Sequence, residues 1–334
     1  MKNIAILGSG GWGVALSLLL HKNGHHVKLW AYTEEEKNII NQQKKCKYLP
    51  QAIIPEEVVC YNSYEEVIED ADIIIIVTPS SAIRKTLNTI KPIVGKDQVL
   101  LLASKGIEPG TQKVYSDVIE EIFPENRIGV ISGPSHAEEV AQSIPTCVVV
   151  SSKDDELSKE LQDVFANEIF RVYINNDIVG VELGGALKNI IALASGICYG
   201  MGAGDNTQAA LITRGLLEIT RIGKAYGAKS HDTFYGLSGF GDLFVTCSSL
   251  NSRNRSCGVL IGKGYKVADA QKELGGMVVE GISAVDAAYE IIKKYDVNAP
   301  IITQMYDVIH NDKPAKEALV ELMNREKKYE YLAN

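Results

Sequence analysis

The chain has no uninterrupted apolar run of the roughly 18 residues that a membrane-spanning helix requires. It also has no excess of positive charge: 34 Lys and Arg stand against 42 Asp and Glu, a net charge of −8. That balance argues against a nucleic-acid groove or an anionic membrane surface as partner. The six cysteines (Cys46, Cys60, Cys147, Cys198, Cys247 and Cys257) form no CxxC or other metal-ligand spacing, and the six histidines form no HExxH. No metal is therefore expected. The opening MKNIAILGSGGWG carries one lysine, but Ile4–Leu7 is too short for the apolar region of a secretory signal. Free buried thiols in a cytoplasmic protein are expected rather than disulfides. The dipeptide His25-His26 reads as solvated turn residues ahead of a strand. Repeats, low-complexity tracts and Pro/Gly/Ser-rich linkers are absent too, so successive domains should pack directly and leave a cleft between them.

What is present is ordinary globular material, 46% hydrophobic and 23% charged. At about 150 residues per domain, 334 residues make roughly two domains. The first half alternates β-rich runs with helix-length segments. Strands are expected at Asn3–Leu7, Val27–Tyr32, Ile73–Thr78, Gln98–Ala103, Arg127–Ser132, Thr146–Ser151 and Phe170–Ile174. Helices are expected between them at Gly13–Lys22, Ser81–Lys91 and Gln112–Ile122. Runs such as Ile73–Val77 are continuously apolar, as strands covered on both faces are, which predicts a doubly wound, mostly parallel sheet of α/β type. Beyond Ile174 the pattern turns helical, near Val179–Tyr199, Thr207–Tyr226, Ile282–Lys293 and Ala315–Glu326. The expected division is a Rossmann-like domain over 1–180 and an all-α domain over 181–334.

Gly8-Ser9-Gly10-Gly11-Trp12-Gly13 fits G-x-G-x-x-G between a strand and an apolar helix. Gly8 serves a tight turn, Gly10 the close approach of a pyrophosphate, and Gly13 close helix–strand packing. The helix N-terminus offers free N–H groups and a positive dipole end. The choice between NAD and NADP stays open. No acid or arginine sits at the tip of the second strand, Leu29–Thr33, and Glu34–Glu36 read as the first turn of the next helix.

In such a sheet, ligands bind beyond the carboxyl ends of the strands. Three loops stand out there: Thr78-Pro79-Ser80, Ser104-Lys105-Gly106 and Gly133-Pro134-Ser135-His136-Ala137. Lys105 suits anion binding or carbonyl polarisation. Lys188 has helical neighbours Gly184, Gly185, Ile191 and Ala192, mostly small residues that leave room for a ligand. Partial desolvation there would lower its pKa and suit it to proton transfer. Asp242 lies in the glycine-rich run Gly236–Leu243, and Ser252-Arg253-Asn254-Arg255 offers a phosphate the paired donors of arginine.

Together these residues resemble the NAD(P)-dependent glycerol-3-phosphate dehydrogenases of bacterial type. The resemblance runs through GSGGWG, IVTPS, SKGIEPGT, ISGPSHAEEV, ELGGALKNIIALASGI, GLSGFGDLFVTC, SRNR and VVEGI, in that order over the whole chain. It implies cofactor binding by Gly8, Gly10, Gly11, Trp12, Gly13, Tyr32, Lys105, Ala137, Arg253, Val278 and Glu280. It implies substrate binding by Lys105, Gly133, Ser135, Lys188, Asp242, Ser252, Arg253 and Asn254. Lys188 matches the proton donor and acceptor, assisted by Lys105 and Asp242. Gly11 stands where many members have Ser, and Ala31-Tyr32 where many have a basic residue.

The implied reaction is reversible reduction of dihydroxyacetone phosphate to sn-glycerol 3-phosphate with NAD or NADP, dual use being left open. It implies a small phosphorylated triose as substrate, a supply of phospholipid precursor, and a homodimer. Hydroxyacid or 6-phosphogluconate dehydrogenases would share the architecture without needing the GDL…SRNR pairing. A nucleotide sensor without turnover would give Lys105, Lys188 and Asp242 no reason to coexist.

Overall fold

In a computed structural model, which describes every residue except Met277, Lys328 and 331–334, the chain builds one sheet and a helical array. The last four residues of the expected second domain thus lie outside the described residues. In order come β1 (Asn3–Leu7), α1 (Gly11–Lys22), β2 (His26–Trp30), α2 (Glu34–Gln43), β3 (Val59–Tyr61) and α3 (Tyr64–Ile68). Then follow β4 (Ile73–Ile76), α4 (Ile83–Ile90), β5 (Val99–Leu102), α5 (Tyr115–Ile122), β6 (Ile128–Ser132), α6 (Ala137–Ala141), β7 (Thr146–Ser152), α7 (Asp155–Phe165) and β8 (Phe170–Ile174). The strand order is β3-β2-β1-β4-β5-β6-β7-β8. Every pairing is parallel except β6 with β7.

The isoleucine strand shows why this sequence makes such a sheet. Ile73 and Ile75 enter one core cluster with Val14 and Leu16 of α1, whereas Ile74 and Ile76 enter another with Ile83 and Leu87 of α4. Period-two alternation thus divides one apolar run between two helical layers. All four side chains are fully buried. The chain leaves β1 towards β2 on one side, and β4 flanks β1 on the other. That reversal of strand order opens a crevice at their carboxyl ends.

Beyond β8 the chain is helical: α8 (Ile178–Gly200), α9 (Asp205–Tyr226), α10 (Asp232–Tyr235), a π-helical turn at Leu237–Gly241, α11 (Asp242–Ser248), α12 (Arg253–Gly262), α13 (Val267–Glu273), α14 (Glu280–Tyr295), α15 (Pro300–His310) and α16 (Ala315–Met323). Five of these, α10 to α13 and α15, are not among the helices expected from sequence. Most are short and rich in Gly, Ser or Thr. α15 starts on Pro300 because the buried carboxylate of Glu218 accepts the N–H groups of Ile301 (2.9 Å) and Ile302 (3.1 Å). β3 is not among the expected strands because three residues on a sheet edge carry no readable period.

Three further expectations meet the structure, and the one for His25 changes. By length and composition α8 could cross a membrane, although Glu182 and Lys188 interrupt its apolar run; 94% of its most apolar window is buried inside the protein. It is the central core helix of the helical array. His25 is not a solvated turn residue: its ring accepts from the Lys2 N–H (3.1 Å) and meets the Val164 carbonyl (3.1 Å). Burial lowers its pKa. The six cysteines are all free, and all but Cys147 are buried.

Candidate active site

The glycine-rich turn lies at the crevice between β1 and β4. Gly8 donates its N–H to the Trp30 carbonyl (3.2 Å) and takes φ +139°, a conformation L side chains avoid. A Cβ at Gly13 would collide with the Gly8 carbonyl, so the first turn of α1 packs directly on the loop. Gly10 is the N-cap of α1 and offers no side chain, and the first turn has no acid. A Cβ at Gly10 would meet nothing within 4 Å. Open space in front of unpaired N–H groups at a helix N-terminus fits a dinucleotide pyrophosphate. Gly11 faces the Tyr48 carbonyl and the Ala137 Cβ, and Trp12 and Ala137 both pack on the core cluster below. Thr78 Oγ1 at the end of β4, and Ser132 Oγ and His136 Nε2 at the end of β6, are buried without a hydrogen-bond partner. Buried polar atoms of that kind await a ligand or ordered water.

Tyr32 is exposed just past β2, its ring edge-on to Trp30 at 6.1 Å. Next to it Thr33 caps α2 by accepting the Glu36 N–H (3.2 Å), and Glu34–Glu36 form the first turn, as expected. The Glu36 carboxylate then turns back to the glycine loop, where Ser9 Oγ donates to it at 3.3 Å and the Tyr48 hydroxyl at 3.4 Å.

On the other side of the crevice three charged groups meet from distant parts of the chain. Lys105, in the loop after β5, reaches Asp242 Oδ2 at 2.5 Å and the Gly133 carbonyl at 3.1 Å. Lys188, midway along α8, lies 2.9 Å from Asp242 Oδ1 and donates to Thr246 Oγ1 at 2.6 Å. One carboxylate therefore bridges two ammonium groups. Burial pulls the Lys188 pKa down to about 8, against the opposing pull of Asp242, and Lys105 adds to the drop. Burial pushes the Asp242 carboxyl up, but the two lysines outweigh it and hold it below the ordinary carboxylate range.

The small residues beside Lys188 do not leave a ligand cavity, contrary to expectation. A Cβ at Gly184 would meet the backbone of Ser238 and Gly239, and one at Gly185 would meet Ser132 Oγ and the Lys105 stem. The glycines admit protein, and in doing so let Asp242 and Lys105 reach Lys188. Thr246, absent from the sequence reading, could have been found as the residue one helical turn after Asp242. Its hydroxyl donates to the Asp242 carbonyl at 2.6 Å while accepting from Lys188.

The loop after β6 joins this group through Gly133, whose carbonyl also accepts from Ser135 Oγ at 3.1 Å. Ser252 is the N-cap of α12, its hydroxyl accepting the Arg255 N–H at 3.2 Å. Arg253 follows, exposed, in a first turn without acids. Asn254 Nδ2 donates to Asn189 Oδ1 (3.0 Å), and its Oδ1 accepts the Gly281 N–H (2.8 Å). Its amide therefore ties α12 to α8 and α14, immediately beside Lys188 in sequence. Glu280 opens α14 and accepts from Ser80 Oγ at 2.6 Å, linking the helical array to the loop after β4. Burial raises its pKa, opposed by the Ser80 contact and by Arg253. Val278 is exposed nearby in sequence. Arg255 takes no part in the lysine group and lies over the Tyr199 ring at 4.6 Å.

A dinucleotide cradle facing a buried lysine–carboxylate–lysine bridge across the carboxyl edge of a parallel sheet defines a nicotinamide-nucleotide-dependent oxidoreductase. The chain belongs to the NAD-dependent glycerol-3-phosphate dehydrogenase family, whose N-terminal family model matches residues 3–158 and whose C-terminal model matches residues 177–320. It is 48% identical over 334 residues to glycerol-3-phosphate dehydrogenase [NAD(P)+] of Fusobacterium nucleatum, covering 99% of both chains. Identity to the enzyme of that name from Bacillus cytotoxicus is 47%, over 99% of this chain and 97% of the other. The crystal structure of glycerol-3-phosphate dehydrogenase from Coxiella burnetii superposes with a TM-score of 0.93 at 36% identity, over 97% of this chain and 99% of that one. The architecture and the nucleotide class expected from sequence are those of this family.

Proposed function

We propose that the protein reduces dihydroxyacetone phosphate reversibly to sn-glycerol 3-phosphate, with Lys188 as the proton donor and acceptor. The observation that carries this reading is the bridge of Asp242 between Lys105 and Lys188. A reduced nicotinamide nucleotide, when bound, would supply the hydride that C2 of the substrate receives. As negative charge grows on the carbonyl oxygen, the Lys188 ammonium gives it a proton and becomes a neutral amine. With a pKa pulled to about 8, that ammonium is charged at neutral pH yet releases its proton readily. In the reverse direction the neutral amine takes the proton from the C2 hydroxyl. Lys105 stabilises the developing charge from its fixed position against Asp242 and Gly133.

Asp242 and Thr246 hold the Lys188 Nζ in place. Gly133 and Ser135 shape the loop beside the reacting carbon. Ser252 and Arg253 bind the phosphate at the N-terminus of α12, where the hydroxyl retains a free O–H and the guanidinium a planar fork of donors. Asn254 joins them in holding the phosphate with its second amide N–H, the first being given to Asn189. Gly8, Gly10, Gly11, Trp12, Gly13, Tyr32, Lys105, Ala137, Arg253, Val278 and Glu280 hold the nucleotide.

The reading divides the chain at about residue 180, with 1–180 binding nucleotide and 181–334 carrying the proton donor. The start of α8 at Ile178 supports a cut slightly earlier. It extends to a cytoplasmic homodimer that supplies the glycerophosphate backbone of phospholipids. Initial rates of NADH and NADPH oxidation with dihydroxyacetone phosphate, set against 3-hydroxyacids and 6-phosphogluconate, test it. Turnover of a hydroxyacid but not of the triose phosphate would sink it.

A further inference from the structure

We infer that Glu36 reads the ribose of the adenosine half of the nucleotide and sets a preference for NAD(H) over NADP(H). This rests on the nucleotide-dependent reading above. The sheet fixes the direction in which a dinucleotide lies. The reacting side is marked by Lys105 after β5 and Gly133 after β6, and the pyrophosphate cradle by Gly10 at the end of β1. The other nucleoside must therefore lie over β2, on the opposite side of β1. Sequence inspection finds no acid at the tip of β2, but Glu36 arrives from the first turn of α2. Its carboxylate ends 3.3 Å from the hydroxyl of Ser9, the residue between the first two glycines of the loop.

In this fold a carboxylate beside that turn accepts from the ribose 2′-hydroxyl, and its charge repels a 2′-phosphate. Glu36 is free to do so. Its two partners, Ser9 at 3.3 Å and Tyr48 at 3.4 Å, are long hydrogen bonds, and a carboxylate has about four lone-pair sites to offer. The cations that could favour a 2′-phosphate are placed otherwise. No arginine occurs between residues 31 and 50. Lys37 pairs with Glu34 at 2.7 Å and Lys44 with Glu56 at 2.9 Å, while Lys47 lies over the Tyr48 ring. Lys45 is exposed on the same loop.

The test is binding, read without substrate. NADH and NADPH are titrated into the full chain, and into its Glu36→Gln and Glu36→Ala variants, with fluorescence of the reduced nicotinamide as signal. The unmodified chain should hold NADH more tightly than NADPH. Both variants should shift the affinity ratio towards NADPH by about tenfold or more, the size expected when a hydrogen bond to a charged group is lost and a like charge is removed. An unmodified chain that binds both nucleotides, with a ratio these variants do not move, overturns the role of Glu36 alone. So does tighter binding of NADPH from the start that is weakened by Lys45→Ala or Lys47→Ala. A chain that binds neither nucleotide refutes the nucleotide-dependent reading itself.

Discussion

Replacing Asp242 by Asn removes the one negative charge between two ammonium groups and leaves the shape of the side chain intact. Asp242 is buried and lies within 2.9 Å of Lys188 and 2.5 Å of Lys105. An opposite charge at such range shifts a pKa by about 1–3 units. The Lys188 pKa, held at about 8 with Asp242 opposing the drop, should therefore fall to roughly 6 in Asp242→Asn. At pH of about 7.5, the protonated fraction of Lys188 then falls from roughly three-quarters to about 3%, a loss of about 25-fold in proton donor.

The assay is the pH dependence of kcat for ketone reduction, followed by the absorbance of the reduced nicotinamide. The unmodified enzyme should hold its rate below about pH 8 and lose it above, because the donor is the charged form. Oxidation of the alcohol should show the opposite limb, rising through the same pH. In Asp242→Asn the reduction limb should move to lower pH, and Asp242→Glu should restore part of the shift. A reduction limb that stays near pH 8 in Asp242→Asn, in a variant that still binds nucleotide, would refute the reasoning.

Two substitutions separate the remaining roles. Lys188→Ala should lower kcat by about 10²-fold or more while leaving the Kd for NADH nearly unchanged, since general acid catalysis contributes on that scale; ordinary turnover would remove Lys188 from the chemistry. Arg253→Ala should raise KM for the phosphorylated substrate by about tenfold or more, the worth of a charge-assisted pair to phosphate. An unchanged KM would place the phosphate elsewhere.

Much of the fold was legible because the cues were local. The isoleucine run of β4 reads as a strand covered on both faces, and the structure divides it between two clusters. The glycine turn reads as strand–loop–helix for the same reason. Less legible were features decided by what lies across a gap. Nothing in Thr146–Ser152 announces that β7 runs against β6. The open face supposed beside Lys188 depended on the absence of other chain there, yet Ser238, Gly239 and Lys105 fill it. Glu36 was correctly read as helix start, but its side chain turns towards a loop 27 residues earlier. Asn254 reads as a substrate-binding residue; that one of its amide N–H groups goes to Asn189 and its Oδ1 to Gly281 is not visible in the spacing. Spacing carries backbone geometry well, but it carries little about where a long polar side chain finds its partner.

The shared carboxylate also bears on how the two parts of the chain move. Lys105 hangs from the sheet, whereas Asp242 and Lys188 belong to the helical array. Any hinge motion wide enough to part them would break a 2.5 Å contact and leave the buried Asp242 carboxylate with Lys188 as its single charged partner. The bridge thus couples the loop after β5 to α8 and α11 through one carboxylate. The charged contact between the sheet and the helical array is thereby also a mechanical tie, made at the residue that bridges both lysines.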